Sequence, residues 1–193
     1  MRKIEKYYEN TKNFKQHKNV SKFIKFDIEP GYAIDLGCGA GRDTVCLIKN
    51  GWKVLAIDRE NVSSLIIEKL NNKELKNFRF KQQNFEDIIL EKNNLIVANY
   101  SIPFCDKKIF KTFWEKITDS ILVNGYFVGN FFGINDEWKN IRDDMVFIEK
   151  EQVKKLFENF EIIDFKEIEE NSKTGMGDMK HWHIFNVIAK KIK

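Results

Sequence analysis

The stretch "IDLGCGAGRD", Ile34–Asp43, places three glycines (Gly37, Gly39 and Gly41) within five residues, directly behind an apolar run. Tyr32–Leu36 reads as a short buried strand after the Pro30-Gly31 turn. Arg42–Asn50 reads as a helix with Thr44, Leu47 and Ile48 on one face, and Gly51 is its natural C-cap. A loop this tight between strand and helix needs positive φ angles, which glycine reaches at little steric cost. Missing side chains also let a ligand lie on the backbone. The helix start behind the loop offers free N–H groups and a partial positive charge. The segment is therefore read as a ligand loop.

Working outward, apolar runs and helical patterns alternate. Val54–Ile57 is a second strand ending at Asp58, and Asn61–Leu70 follows as a helical pattern. Phe78–Gln82 is a third strand and Leu95–Ala98 a fourth. Phe110, Phe113, Trp114, Ile117 and Ile121 recur at helical spacing, and Asn124-Gly125 then turns the chain into a fifth strand, Tyr126–Phe132. Val153, Leu156, Phe157 and Phe160 mark another helix face. Glu161–Glu169 and His181–Ala189 suit two terminal strands joined by a loop holding Gly175 and Gly177. Strands alternating with helices imply βαβ units, a parallel sheet and helices on both faces, so the central strands are nearly all apolar. Ligands of such sheets bind beyond the carboxyl ends of the strands, where the glycine loop falls.

The acid ahead of the loop narrows the ligand. A dinucleotide site usually reads GxGxxG; here the spacing is GxGxG, and Asp35 stands two residues before Gly37. A carboxylate there repels a pyrophosphate and attracts a cation. S-adenosylmethionine, with an ammonium, a sulfonium and no phosphate, fits that charge. Asp58 closes the second strand, where a carboxylate can accept ribose hydroxyls as in the related dinucleotide folds.

These residues, Ala33–Arg42 with Val54–Asp58, resemble the first two motifs of the class I S-adenosylmethionine-dependent methyltransferases. Tyr7-Tyr8, Gly41-Arg42 and the "GWKV" run Gly51–Val54 make the chain similar to the small bacterial enzymes related to the tellurite-resistance methyltransferase. The resemblance implies one α/β domain over residues 1–193, with residues 1–28 as a helical arm or lid. It implies a three-layer Rossmann-like sandwich whose mostly parallel seven-stranded sheet has the order 3-2-1-4-5-7-6, the last strand antiparallel. It further implies cofactor contacts at Tyr8, Asp35, Gly37, Cys38, Gly39, Arg42, Asp58, Arg59, Asn84, Phe85 and Asn99. Asn84-Phe85 would hold the adenine, with Glu86 and Asp87 as alternatives. Asn84 departs from the commoner aspartate, yet an amide oxygen still accepts a hydrogen bond. Arg42 is read either as a partner of the methionine carboxylate or as a surface residue at a helix start.

Methyl transfer needs chiefly an in-line arrangement and exclusion of water, with a base only where the acceptor must lose a proton. No single catalytic residue follows. The candidates are Tyr100 in "NYSIPF", Asp136 after the fifth strand, and His181 and His183, which share one face of the last strand. Trp138 and Trp182 are further candidates for the pocket wall, and no metal site is expected.

The length of 193 residues suits one domain, and 42% hydrophobic with 32% charged residues is a globular balance. Three cysteines without CxxC spacing argue for reduced thiols. With no apolar run long enough for a membrane helix and no apolar stretch after Met1–Lys6, the expectation is a cytoplasmic protein without membrane attachment. Net charge is +4, and residues 1–25 carry eight basic residues against two acids. The leading function is methyl transfer to a small molecule, such as a thiol or metalloid oxyanion. The alternative is an RNA or protein methyltransferase docking through the basic arm, which few arginines disfavour. A nicotinamide enzyme or a cofactor-free binding module is disfavoured by Asp35. Oligomeric state stays open.

Overall fold

A computed structural model describes residues 2–193. After the helices α1 (Lys3–Thr11) and α2 (Lys18–Ile24), the chain forms β1 (Tyr32–Leu36), α3 (Arg42–Lys49), β2 (Lys53–Asp58) and α4 (Ser63–Ile67). It continues through β3 (Phe78–Gln82), β4 (Asn93–Ala98), α5 (Phe110–Ser120), β5 (Ile121–Gly133), β6 (Phe147–Ile148) and α6 (Lys150–Leu156), and ends in the hairpin β7 (Phe160–Lys173) and β8 (Met179–Lys191).

The main path of the sheet is β3-β2-β1-β4-β5-β8-β7. This is the expected order, renumbered because one extra strand, β6, lies off the path against the end of β5. The first five strands pair in parallel, and β8 runs antiparallel to both β5 and β7. Successive side chains of a strand face opposite layers. Ile34 and Leu36 of β1 accordingly join Phe113, Trp114, Ile117 and Val153 of α5 and α6 on one side. Ala33 joins Val20, Phe23, Leu47 and Ile66 of α2, α3 and α4 on the other. Two buried faces explain why the central residues of β1, β2 and β4 are apolar, Asp35 excepted.

Ile121 and Phe160, read as the last members of two helix faces, instead open β5 and β7, and two further elements differ from the sequence reading. The helix expected over 61–70 is confined to Ser63–Ile67, because the amides of Lys69 and Leu70 bond three residues back and tighten the last turn. The Asn124-Gly125 pair does not precede β5 but lies inside it, as a bulge. Asn93 pairs with Ile121 and Leu95 with Tyr126, while Asn124 takes φ +68°. A Cβ on Gly125 would stand 2.8 Å from the Leu122 carbonyl oxygen and 2.9 Å from that of Asn94, so the bulge needs glycine.

Candidate active site

The glycine loop leaves β1 at its carboxyl end. Gly37, Gly39 and Gly41 all take positive φ (65°, 52° and 78°). The amides of Gly37 and Cys38 both bond the carbonyl of Ile57, and the amide of Gly39 donates to Asp58 Oδ2 at 2.9 Å. The two sequence motifs are thus joined by hydrogen bonds at neighbouring strand ends. Gly37 also marks a close approach: a Cβ there would stand 2.5 Å from Ser101 Cβ and 3.6 Å from Phe85 Cζ.

Asp35 is buried on the α3 side and accepts from Thr44 Oγ1 at 2.6 Å. Burial, reinforced by the nearby charge of Asp43, pushes its carboxyl up to about 7 against the Thr44 hydrogen bond. Asp43 is itself raised by burial. It accepts from the His17 amide at 2.6 Å and from Asn99 Nδ2 at 2.9 Å, and Arg42 Nε lies 4.0 Å away. Asn19 of α2 then donates to the side-chain oxygens of Asn99 and Asn186 and to the carbonyl of Gly129. This buried amide cluster ties the arm to β4, β5 and β8.

The other expected residues surround this frame. Tyr8 lies over the loop and donates its hydroxyl to Asp58 Oδ1 at 3.0 Å. Cys38 is buried and its thiol is pushed well up by burial, which keeps it out of nucleophilic chemistry. Arg42 is half-buried, its guanidinium 5.8 Å from the centre of the Tyr100 ring. Phe85 faces the loop and stacks on Phe113 at 4.6 Å. Asn84 and Arg59 are exposed; the Arg59 carbonyl accepts from Gln82 Nε2.

Beyond β4 the chain reaches Tyr100, whose φ of +54° is unusual for a residue with a side chain. Its amide donates to Asn130 Oδ1 at 2.9 Å, which holds that conformation. The Tyr100 ring meets His17 edge-on at 5.3 Å, Trp182 at 5.7 Å and Phe132 at 6.1 Å. His17 caps α2 by accepting the Asn19 amide on Nδ1, and burial pulls its imidazole down to about 3, so it stays neutral. Trp138 and Phe104 complete an aromatic wall. Inside that wall Lys180 pairs with Asp136, and its ammonium lies 3.7 Å from the Trp182 ring centre and 4.5 Å from that of Trp138. Burial pulls the Lys180 amine down, and Asp136 opposes this.

The four candidate catalytic side chains separate in position. Tyr100 stands between the glycine loop and the aromatic wall. Asp136 is buried under Lys180 and accepts the Trp138 amide, so its oxygens are engaged. His183 accepts the Asn135 amide on Nδ1 and reaches Glu167 with Nε2 at 3.0 Å, which fixes both nitrogens in structural bonds. His181 lies on the hairpin surface against Asn171 and Glu169. Asp43, Asn19, Asn130 and Lys180 were not singled out in the sequence. The legible signal for Asn130 and Asn186 was a lone amide inside an apolar strand run, "VGNFF" and "HIFNVI", which is costly unless it is hydrogen-bonded. Among the described residues no group of three His, Cys, Asp or Glu is placed to hold a metal, and no helix is long and apolar enough to cross a membrane.

Residues 1–180 match the family described as "Tellurite resistance protein TehB". Among solved structures, TehB from Haemophilus influenzae is similar at a TM-score of 0.77 and 19% identity, over 91% of this chain and 62% of that one. The chain therefore spans less than two thirds of that relative's length. The 1,6-didemethyltoxoflavin-N1-methyltransferase of Burkholderia thailandensis, solved with S-adenosylhomocysteine, gives 0.69 at 15% identity, over 91% of this chain and 77% of that one. N-methyltransferase NodS from Bradyrhizobium japonicum, also in complex with S-adenosylhomocysteine, gives 0.68 at 11% identity over 98% and 97%. At these identities the likeness establishes the fold, which is the Rossmann-like methyltransferase fold. A direct sequence search against curated proteins finds no match.

Proposed function

The chain belongs to the TehB family, and from this premise we propose that it is an S-adenosylmethionine-dependent methyltransferase whose acceptor is a small molecule, a thiol or a metalloid oxyanion. The observation that carries the reading is the Gly39–Asp58 hydrogen bond, which sets a bare backbone loop and a strand-end carboxylate side by side. In this reading Asp58 accepts the ribose hydroxyls, and Gly37, Cys38 and Gly39 form the floor under the nucleoside. Asp35 and Asp43 supply negative charge toward the ammonium and sulfonium. Phe85 is the apolar contact for the adenine, Asn84 and Arg59 stand at its exposed rim, and Arg42 meets the carboxylate. The cofactor supplies an electrophilic methyl carbon bonded to a sulfonium leaving group.

The residues of this chain then have to hold the acceptor in line and exclude water. Tyr100, Phe104, Phe132, Trp138 and Trp182 suit that task, since a polarizable aromatic wall favours a soft acceptor. The family's description favours a metalloid oxyanion, and the Burkholderia thailandensis enzyme similar in fold is solved with a small-molecule acceptor, 1,6-didemethyltoxoflavin. Several cations of the basic arm are engaged within the chain: Arg2 with Glu5 and Glu60, Lys12 with Glu9, and Lys22 with Asp164. That favours a folded face over a docking surface for nucleic acid.

Calorimetry with S-adenosylmethionine, S-adenosylhomocysteine and NADH tests the cofactor. The first two are expected to bind at micromolar levels and NADH not to bind. Heat with NADH alone would refute the reading. An acceptor screen with tellurite, selenite, small thiols and transfer RNA then tests the substrate class; methyl transfer only to RNA would overturn the small-molecule assignment.

A further inference from the structure

A carboxylate offers roughly four lone-pair sites, two on each oxygen. On Asp58, Oδ1 accepts the Tyr8 hydroxyl at 3.0 Å and the Glu60 amide at 3.1 Å, and Oδ2 accepts the Gly39 amide at 2.9 Å. The two amides are backbone groups of the loops that build the site, so they stay. One site is left, on Oδ2. A ribose diol presents two adjacent hydroxyls and is best held with one on each oxygen. Removing the Tyr8 hydroxyl restores that arrangement, and neither amide can be given up without dismantling the loop.

We infer that Tyr8 sets the cofactor affinity by competition: its phenol occupies the place of one ribose hydroxyl on Asp58 and is exchanged for it when the nucleoside enters. This rests on the reading of Asp58 as the ribose-binding carboxylate. Three features make the phenol an effective stand-in. Burial and the Asp58 charge both push its ionisation up, so it remains a donor. Its ring is apposed to the loop, with Cε1 3.7 Å from where a Cβ on Gly39 would be. And α1 is held in register from outside the site. Lys69 Nζ donates to the carbonyls of Lys12 and Ala40, and Arg2 pairs with Glu60.

The exchange extends past the nucleoside. Tyr7, the neighbour of Tyr8 on α1, packs on the β7–β8 loop, where a Cβ on Gly175 would stand 2.7 Å from its ring. That loop leads into β8, which carries Lys180 and Trp182 of the aromatic wall. Tyr8 thus belongs to an element that touches both the loop under the nucleoside and the hairpin beside the acceptor wall.

Titration with S-adenosylhomocysteine, read by calorimetry, tests the exchange in the wild-type protein, Tyr8→Phe and Asp58→Asn. Phenylalanine keeps the ring on Gly39 and removes only the competing hydroxyl. Tyr8→Phe is expected to bind on the order of tenfold tighter, the scale of a hydrogen bond to a charged group. Asp58→Asn is expected to lose binding in either background. If wild type binds and Tyr8→Phe binds equally or more weakly, the exchange is wrong while the ribose reading of Asp58 stands. If wild type and Asp58→Asn bind alike, the ribose reading itself fails and takes the exchange with it. A melting temperature for Tyr8→Phe near that of wild type guards against a folding artefact, and Tyr8→Leu is a second variant expected to tighten binding in the same direction.

Discussion

The carboxyl edge of the sheet has two halves, built in different ways. Around β1 and β2 the groups are backbone of positive-φ glycines, with the Gly39 amide, and the side-chain carboxylates of Asp35, Asp43 and Asp58, and they come from one short stretch of chain, residues 35–58. Around β4, β5 and β8 the groups are aromatic side chains enclosing one ion pair, and they come from residues 100 to 182. The first half suits a charged nucleoside whose position must be fixed by hydrogen bonds. The second suits a dry, polarizable enclosure in which charge is already cancelled. Methyl transfer needs both, a held donor and an acceptor shielded from water.

The difference is broken most severely at Asp136. Asp136→Asn leaves the Lys180 ammonium buried among Phe132, Trp138 and Trp182 without its counter-charge. Removing one partner of a buried pair costs about 3–5 kcal/mol. Urea denaturation should show that loss, whereas exchanging both members, Asp136→Leu with Lys180→Met, should recover only part of it, because the Trp138 and His183 amides lose their acceptor. S-adenosylhomocysteine affinity of the folded single variant should stay within about twofold of wild type, because the pair belongs to the other half. A loss below about 1 kcal/mol would mean that the pair is solvated and the enclosure is not dry.

Gly37→Ala strikes the seam between the halves. The added Cβ would stand 2.5 Å from Ser101 Cβ, at a residue whose φ is +65°. Left-handed strain and overpacking together cost about 2–4 kcal/mol. Unlike Asp136→Asn, this variant should also weaken S-adenosylhomocysteine by tenfold or more, since it moves the loop as well as the start of the Tyr100 segment. Normal affinity with lowered stability would mean the nucleoside does not touch the Gly37 backbone.

The same contrast explains what the sequence disclosed. The glycine-loop half was legible as a piece of structure because its signals are local: glycine spacing, an acid two residues ahead, and an acid closing the next strand all survive in a linear reading. The central strands were legible from apolar runs, and their order from the resemblance to the class I methyltransferases. Of the aromatic half, Tyr100, Trp138 and Trp182 were legible as single candidates but not as one wall, because they become neighbours only through the β5–β8 pairing. Nothing in the linear sequence sets Lys180 apart from the other lysines, and only the tertiary fold buries it. His181 and His183 looked equivalent by spacing, yet the structure leaves one on the hairpin surface and fixes the other between Asn135 and Glu167.

The mildest test sharpens the nucleoside half through pH. With its folded-state ionisation raised to about 7, Asp35 is largely protonated in the free protein below neutrality. In the folded state it binds more protons than in the unfolded chain, so its contribution favours folding at low pH and declines as pH rises toward 7. A bound ammonium reverses the preference, because a cation stabilises the carboxylate. S-adenosylhomocysteine keeps the ammonium, so its binding should release a proton from Asp35 below pH 7 and weaken as pH falls. The limiting slope is about tenfold per pH unit, or roughly 1.4 kcal/mol. Above pH 7 this dependence should level off. Asp35→Asn, which cannot titrate, should flatten the profile between pH 5.5 and about 7.5 while binding more weakly at the upper end. A wild-type profile already flat across that window would show that Asp35 is bound to Thr44 for the strand–helix turn alone, and that the negative charge felt by the nucleoside comes from Asp43 and Asp58.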